Sequence, residues 1–381
     1  MQNFVYHNPT RLVFGKGEIA KLGALIEKDR KIMLIFGGGS VKQNGVYEQV
    51  KAALKDRDAI EFWGVEPNPK IETLRKAIAL AKEQKIDLFL AVGGGSVLDG
   101  TKLIAAGAVY EGDAWEIVLK GYADRSADYA SVMTLSATGS EMNAGAVISR
   151  GETDEKFAFF SVKYPVFSIL DPQTTYSIPS DQLANGLSDI FVHVLEQYMT
   201  SMGQSRLMDR WAEGIMQTIA EIAPKVLDNA NDYKTRSDYM LSATLALNGM
   251  IAMGVTQDWT THMIGHELTA LTDIAHGATL AVIYPATLSV LRESKKDKIL
   301  QYADRVWRIN GESQNEIICK AIAATESFFR SLGLKTRLFE YGVGEGIIDK
   351  IVNRFEERKT ILGENGDIDA AVVKKILLAC K

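Results

Sequence analysis

The sequence predicts an α/β N-terminal domain built on a mostly parallel sheet, followed by an all-helical C-terminal domain. Three observations carry that expectation. Short, near-continuous apolar runs in the first half end in glycine-rich turns and alternate with helical patterns. Parallel strands covered on both faces read that way. Beyond Ile178-Pro179-Ser180-Asp181 such runs become rare and helical periodicity takes over. A chain of 381 residues has room for two domains, which the change of texture assigns to 1–180 and 181–381.

Each element follows from its own pattern. Lys31–Phe36 is an apolar strand ending at Gly37-Gly38-Gly39-Ser40, and Ile71–Gln84 has helical spacing. Asp87–Val92 is a second strand, ending at Gly93-Gly94-Gly95-Ser96, with a helix over Val97–Ala108. Ser131–Leu135 is a third strand and runs into Ser136-Ala137-Thr138-Gly139-Ser140. Pro179 then interrupts regular structure, and Ser180 or Asp181 is the expected cap of the next helix. Helical patterns cover 181–200, 205–227, 235–253, 257–270, 296–308 and 315–331.

Composition excludes several classes. A net charge of −5 without a clustered basic face argues against nucleic-acid binding. Cys319 and Cys380, the two cysteines, can build neither a four-thiolate metal site nor a disulfide framework. No apolar run is long enough to span a bilayer, so no membrane partner is expected. Met1–Pro9 has neither the basic start nor the apolar stretch of a secretory leader, so the expected location is cytoplasmic.

Any metal site must therefore use carboxylate and imidazole, and the five histidines become informative. Asp189 and His193 stand four apart in a helical pattern, on one face, and His262 and His266 repeat that spacing. His276 follows in Asp273-Ile274-Ala275-His276-Gly277. The window 241–290 holds only Asp258, Glu267 and Asp273 as charged residues, which marks it as buried. A divalent ion suits such nitrogen and oxygen donors. The same residues also suit a hydrogen-bonded core. The metalloprotease helix signature is absent, because His266-Glu267 is followed by no second histidine at the required spacing.

The glycine turns point to an anionic ligand. Gly93–Ser96 between strand and helix lets a pyrophosphate approach backbone N–H groups, although tight turns need glycine for their own geometry too. Asp99 lies one turn into that helix, and Asn68-Pro69 and Thr138-Gly139-Ser140 are polar loops at strand ends. Neither the standard dinucleotide fingerprint nor a Walker loop is present. Gly37–Ser40 offers a hydroxyl and N–H groups where an NAD-selective site often carries an acid, which leaves space for a 2′-phosphate. Lys156 adds positive charge there only if its loop folds back, and is otherwise an ordinary solvated lysine.

These residues resemble the iron-containing (group III) alcohol dehydrogenase family, particularly its branch of NADPH-dependent aldehyde reductases and butanol dehydrogenases. The likeness runs from Thr10–Gly15 through Glu66–Pro69, Gly93–Asp99 and Ala137–Glu141 to Asp189, His193, His262–Leu268 and Asp273–Gly277. It implies a dehydroquinate synthase-like fold, with metal ligands Asp189, His193, His262 and His276 for iron or zinc. His266 would stand by the nicotinamide and serve proton transfer. NADP(H) would lie on Gly37, Gly38, Gly39 and Ser40 with Lys156 at the 2′-phosphate, and on Gly93, Gly94, Gly95 and Ser96 at the pyrophosphate. Asn68, Asp99, Thr134, Ser136, Thr138, Asn143 and Tyr176 are further implied contacts. The implied reaction interconverts primary aldehydes such as butanal with alcohols, in a homodimer. The rivals are an NAD-dependent alcohol or glycerol dehydrogenase, a dehydroquinate synthase, and a dinucleotide-binding protein without turnover.

Overall fold

The structure is a computed structural model describing residues 1–228 and 231–381. The strands are β1 (Arg11–Phe14), β2 (Ile32–Phe36), β3 (Ala59–Phe62), β4 (Leu88–Gly94), β5 (Tyr122–Ala123), β6 (Asp128–Leu135), β7 (Gly145–Arg150), β8 (Glu155–Ser161) and β9 (Phe167–Leu170). Six of them form a parallel sheet in the order β1-β9-β6-β4-β2-β3. Its inner strands bury Ile32, Leu34, Phe36, Leu90, Val92, Val132 and Ile169 in one core. A small second sheet, β5-β8-β7, contains the antiparallel β7–β8 pair.

The three strands expected from sequence are β2, β4 and β6, each adjusted by a few residues. The other strands of the main sheet have four residues each, and Arg11, Glu61 and Ser168 interrupt their apolar character. Strand order matters for function. From β2 the chain moves outward to β3, then returns to place β4 on the other side of β2. The β2 and β4 carboxyl ends thus flank a topological switch point, where open α/β sheets take ligands. Both triglycine turns begin there.

The chain separates into two compact units, His7–Ile178 with Ala230–Asn248, and Met1–Tyr6 with Pro179–Asn229 and Gly249–Lys381. A single cut at 180 differs from this by two exchanges. The helix Tyr233–Ala246 belongs to the α/β unit because Thr244 Oγ1 donates to the buried Glu141 carboxylate at 2.5 Å. Asn143 Nδ2 also donates to the Leu247 carbonyl at 3.2 Å.

The second unit contains the helices Ser180–Tyr198, Arg206–Asp228, Thr260–Thr272, His276–Val290, Lys296–Arg305, Gln314–Ser331, Glu345–Glu357 and Ala370–Ala379. Neither Ser180 nor Asp181 caps the first of these. Pro179 occupies the cap position, no side chain makes a cap bond, and Asp181 lies in the first turn, facing the positive end of the helix dipole. The helix expected to reach residue 253 stops at Ala246, and positive φ at Gly249 and Gly254 keeps the next segment out of helix. His276–Val290 shows no helical period in the sequence for a physical reason: it is buried on nearly every side and contains Pro285. No helix among the described residues is long and apolar enough to cross a membrane.

Candidate functional site

Three helix segments bring the predicted metal-binding residues together. Asp189 and His193 project from Ser180–Tyr198, His262 from Thr260–Thr272, and His276 opens His276–Val290. From Asp189 Oδ1 the Nε2 atoms of His193, His262 and His276 lie at 3.6, 3.6 and 3.8 Å. Donors about 2.0–2.1 Å from one cation at tetrahedral angles stand about 3.4 Å apart. The spacing therefore fits a divalent ion better than direct hydrogen bonds.

Burial supports the same fit. Asp189, His193 and His262 are 4, 4 and 5% exposed. Asp189 Oδ1 and His262 Nε2 have no hydrogen-bond partner among the described residues. Buried unpaired polar atoms are costly, and a cation between them removes that cost. Asp189, His262 and His276 each offer an atom within 4.8 Å of the others. His193 joins them through Asp189 and stacks on His262 with ring centroids 4.5 Å apart. The geometry is tightest for those three, and the fourth donor is adjacent.

Sequence reasoning missed Glu196. It lies on the helix that carries Asp189 and His193, yet its carboxylate belongs to the next helix. Oε1 accepts from Thr261 N at 2.5 Å, and Oε2 accepts from His262 N at 3.2 Å. Oε2 also pairs closely with His262 Nδ1. One carboxylate thus caps the Thr260–Thr272 helix and orients the imidazole so that Nε2 faces Asp189. Burial pushes the Glu196 carboxyl up from its ordinary range. Burial also works against the His262 cation, but Glu196 and Asp189 outweigh it and hold that imidazole up at about 9. The available signal was Glu196 at i+7 from Asp189, on the same helix face.

The turn before His276 is equally constrained. Asp273 takes φ 56° at the end of Thr260–Thr272, and its N–H returns to Thr269 O at 2.9 Å. A Cβ at Gly277 would fall 2.1 Å from Asn185 O, so only glycine permits the helix contact that seats His276. Ser188 Oγ donates to Gly277 O at 2.8 Å and ties the two helices together. His266 is buried with its ring 5.1 Å from that of His276, outside the set of mutually close donors.

The two triglycine turns of the α/β unit differ. At Gly38 and Gly39 a Cβ would meet nothing within 4 Å, and these residues border an open groove of about 530 Å³ with Gly37, Lys42, Gln43, Trp63 and Gly64. Ser40 is exposed and begins the short helix Ser40–Gln43. At Gly93 and Gly95 a Cβ would come within 2.6 Å of Val97 and 2.5 Å of Thr138. Internal packing alone demands those glycines. Gly94 ends β4, and Ser96 lies in the first turn of Gly95–Ala108.

Several other expected contacts are engaged within the protein. Asp99 accepts from Ser140 Oγ at 2.7 Å and Val147 N at 3.0 Å. Asn143 Oδ1 accepts from Lys102 Nζ and Gly145 N, and its amide donates to Leu247 O. Both residues therefore shape the loop after β6. The organiser of that loop, also missed from sequence, is the buried Lys102. Its Nζ donates to Ser140 Oγ, Asn143 Oδ1 and Gly145 O at 2.6, 3.0 and 2.6 Å. Burial lowers Lys102 to about 8, against the pull of Asp99 and Glu141. Lys156 does fold back, on β8, but its Nζ reaches Asn68 Oδ1 at 2.8 Å and does not line the Gly37–Gly39 groove. Asn68 takes φ 54°, a conformation asparagine tolerates. Thr134 and Ser136 are buried at the β6 end, where Ser136 Oγ has no partner among the described residues. Thr138 accepts from Ser140 N, and Tyr176 follows the Pro172–Thr175 turn.

The chain is similar to known proteins over its whole length. NADPH-dependent aldehyde reductase YqhD of Escherichia coli is 50% identical, with both chains covered completely. Its crystal structure superposes with a TM-score of 0.98 at 49% identity, covering 100% of this chain and 99% of that one. A probable NADH-dependent butanol dehydrogenase of Bacillus subtilis is 41% identical over 93% of each chain. The Thermotoga maritima NADH-dependent butanol dehydrogenase A structure gives a TM-score of 0.95 at 37% identity, covering 100% and 99% of the two chains. Family models for iron-containing alcohol dehydrogenase and for its C-terminal region match residues 9–172 and 183–380. The chain therefore belongs to the iron-containing alcohol dehydrogenase family.

Proposed function

We propose that this protein is a metal-dependent NADP(H) oxidoreductase that interconverts primary aldehydes and alcohols, with aldehydes such as butanal as its substrates. The observation that carries the proposal is the convergence of three imidazole Nε2 atoms on Asp189 Oδ1 at 3.6–3.8 Å. A divalent cation there would supply Lewis acidity toward a carbonyl oxygen, and reduced nicotinamide would supply the hydride. Asp189, His193, His262 and His276 hold the cation, and Glu196 keeps His262 in the orientation it needs. His266, close to this cluster but outside its mutually close donors, carries the proton to the alkoxide oxygen from a ring nitrogen.

Gly37–Ser40 receives the adenosine 2′-phosphate, and the β4 turn, Gly93–Ser96, receives the pyrophosphate. Lys156 and Asn68 act as a bonded pair beside that site, and Ser136 offers a free hydroxyl. The second reading is NAD dependence, favoured by relatives named as NADH-dependent butanol dehydrogenases at 38–41% identity. Against it, no carboxylate among the described residues lines the groove beside Gly38 and Gly39. A cytoplasmic homodimer completes the proposal.

The test is aldehyde-dependent oxidation of NADPH and of NADH across a panel of primary aldehydes. Consumption of NADPH well above NADH supports the reading. An equal or reversed preference overturns the cofactor assignment, and no consumption of either overturns the activity.

A further inference from the structure

We infer that Lys42, seated on Trp63, is the cation that distinguishes a 2′-phosphorylated adenosine from an unphosphorylated one. The inference rests on the NADP(H) reading and names the residue behind it. Among the described residues, Lys42 is the charged residue of the groove that Gly37–Gly39 border, and no acidic residue lines that groove. Its backbone N–H donates to Gly39 O at 3.0 Å, but its side chain makes no salt bridge or hydrogen bond among the described residues. Its Nζ instead lies 4.1 Å from the Trp63 ring centroid and 5.5 Å from that of Tyr47. An aromatic face attracts an ammonium without consuming its three N–H donors or neutralising its charge.

The shelf under Lys42 is fixed from several sides. Trp63 stacks on Phe36 at 4.1 Å with the ring planes 13° apart. Its Nε1 donates to Glu61 Oε2 at 2.9 Å. Glu61 is itself held by Tyr47 at 3.0 Å and Lys51 at 2.8 Å, so the nearby acid is committed to Lys51 and leaves Lys42 uncompensated. Across the groove, Gly38 and Gly39 present backbone without a side chain, where a Cβ would find open space. A dianion entering here meets one ammonium and exposed backbone, with the exposed Ser40 next in the chain after Gly39. A ribose diol bearing no phosphate gains little from the ammonium. Lys156, the lysine expected from sequence, donates to Asn68 Oδ1 at 2.8 Å and does not line this groove.

The experiment is calorimetric titration of the full-length protein with adenosine 2′,5′-bisphosphate and with 5′-AMP, for wild type, Lys42→Gln and Lys42→Arg. Wild type should prefer the bisphosphate, and Lys42→Gln should weaken bisphosphate binding about tenfold or more while leaving 5′-AMP unchanged. Lys42→Arg should keep the preference. A preference that survives in Lys42→Gln, or an equal loss for both ligands, overturns the role of Lys42 while leaving NADP(H) use intact. A wild type that binds both ligands equally overturns the NADP(H) reading itself, and the assignment of Lys42 falls with it.

Discussion

The Glu196 carboxylate pairs with His262 Nδ1 and in the same stroke accepts the His262 and Thr261 backbone N–H groups. Ring orientation and helix start are thereby set by one side chain. With a divalent cation bound, His262 would be neutral, donating from Nδ1 to Glu196 and turning its Nε2 lone pair toward the side on which Asp189 Oδ1 lies. Asp189, one end of this arrangement, and Glu196, the other, come from a single helix.

Glu196→Gln should raise the metal dissociation constant by about 10- to 100-fold, the usual cost of losing such a partner. The amide still accepts one backbone N–H, so the fold should survive. Competition with a chelator measures the affinity, and an unchanged value would show that Glu196 is only a helix cap.

His193 and His266 should separate cleanly. His193→Ala removes a donor 3.6 Å from Asp189 Oδ1 and should weaken metal binding by at least about tenfold. His266→Ala should leave metal content intact and lower kcat by about 100-fold with little change in KM. Metal analysis beside steady-state kinetics distinguishes them. Full affinity in His193→Ala would reduce the site to Asp189, His262 and His276.

Ser40→Asp should place a carboxylate at the groove that now has none. The expected result is a loss of kcat/KM with NADPH of about tenfold or more, with NADH little affected. Parallel kinetics with both cofactors check it, and an unchanged ratio contradicts a 2′-phosphate at this turn.

Lys102 gives a pH signature. Burial holds its folded-state value down at about 8, whereas an unfolded lysine titrates near about 10.4. The penalty for burying the charge is complete below about pH 8. Between about 8 and 10.4 the folded protein sheds the proton that the unfolded chain keeps, so stability rises relative to Lys102→Met. The full swing is on the order of 3 kcal/mol. Urea unfolding of both proteins across that window measures it, and a constant difference would contradict a depressed Lys102.

Much of this is legible in the sequence. The β2 and β4 runs are continuous apolar strands, helical spacing pairs Asp189 with His193 and His262 with His266, and scarcity of charge over 241–290 marks the later histidines as buried, whereas the choice of His276 as a ligand comes from the family resemblance. What stayed hidden depends on three-dimensional neighbours. Glu196 looks like an ordinary helix glutamate until Thr261 and His262 arrive from 65 and 66 residues away. Lys102 sits in an apolar helix whose sequence says nothing of the loop it clamps. The His276–Val290 helix has no polar face to create a period. The glycine turns read alike in sequence, yet only Gly38 and Gly39 face open space, while Gly93 and Gly95 make way for Val97 and Thr138.

The central claim is that the Asp189–histidine cluster holds the cation on which turnover depends. Protein stripped with a chelator and then reconstituted separately with ferrous iron and with zinc, assayed for butanal reduction by NADPH, tests it most directly. The stripped protein should bind NADPH but not turn over, and at least one ion should restore activity in wild type but not in His276→Ala. Undiminished turnover by metal-free protein would contradict the account.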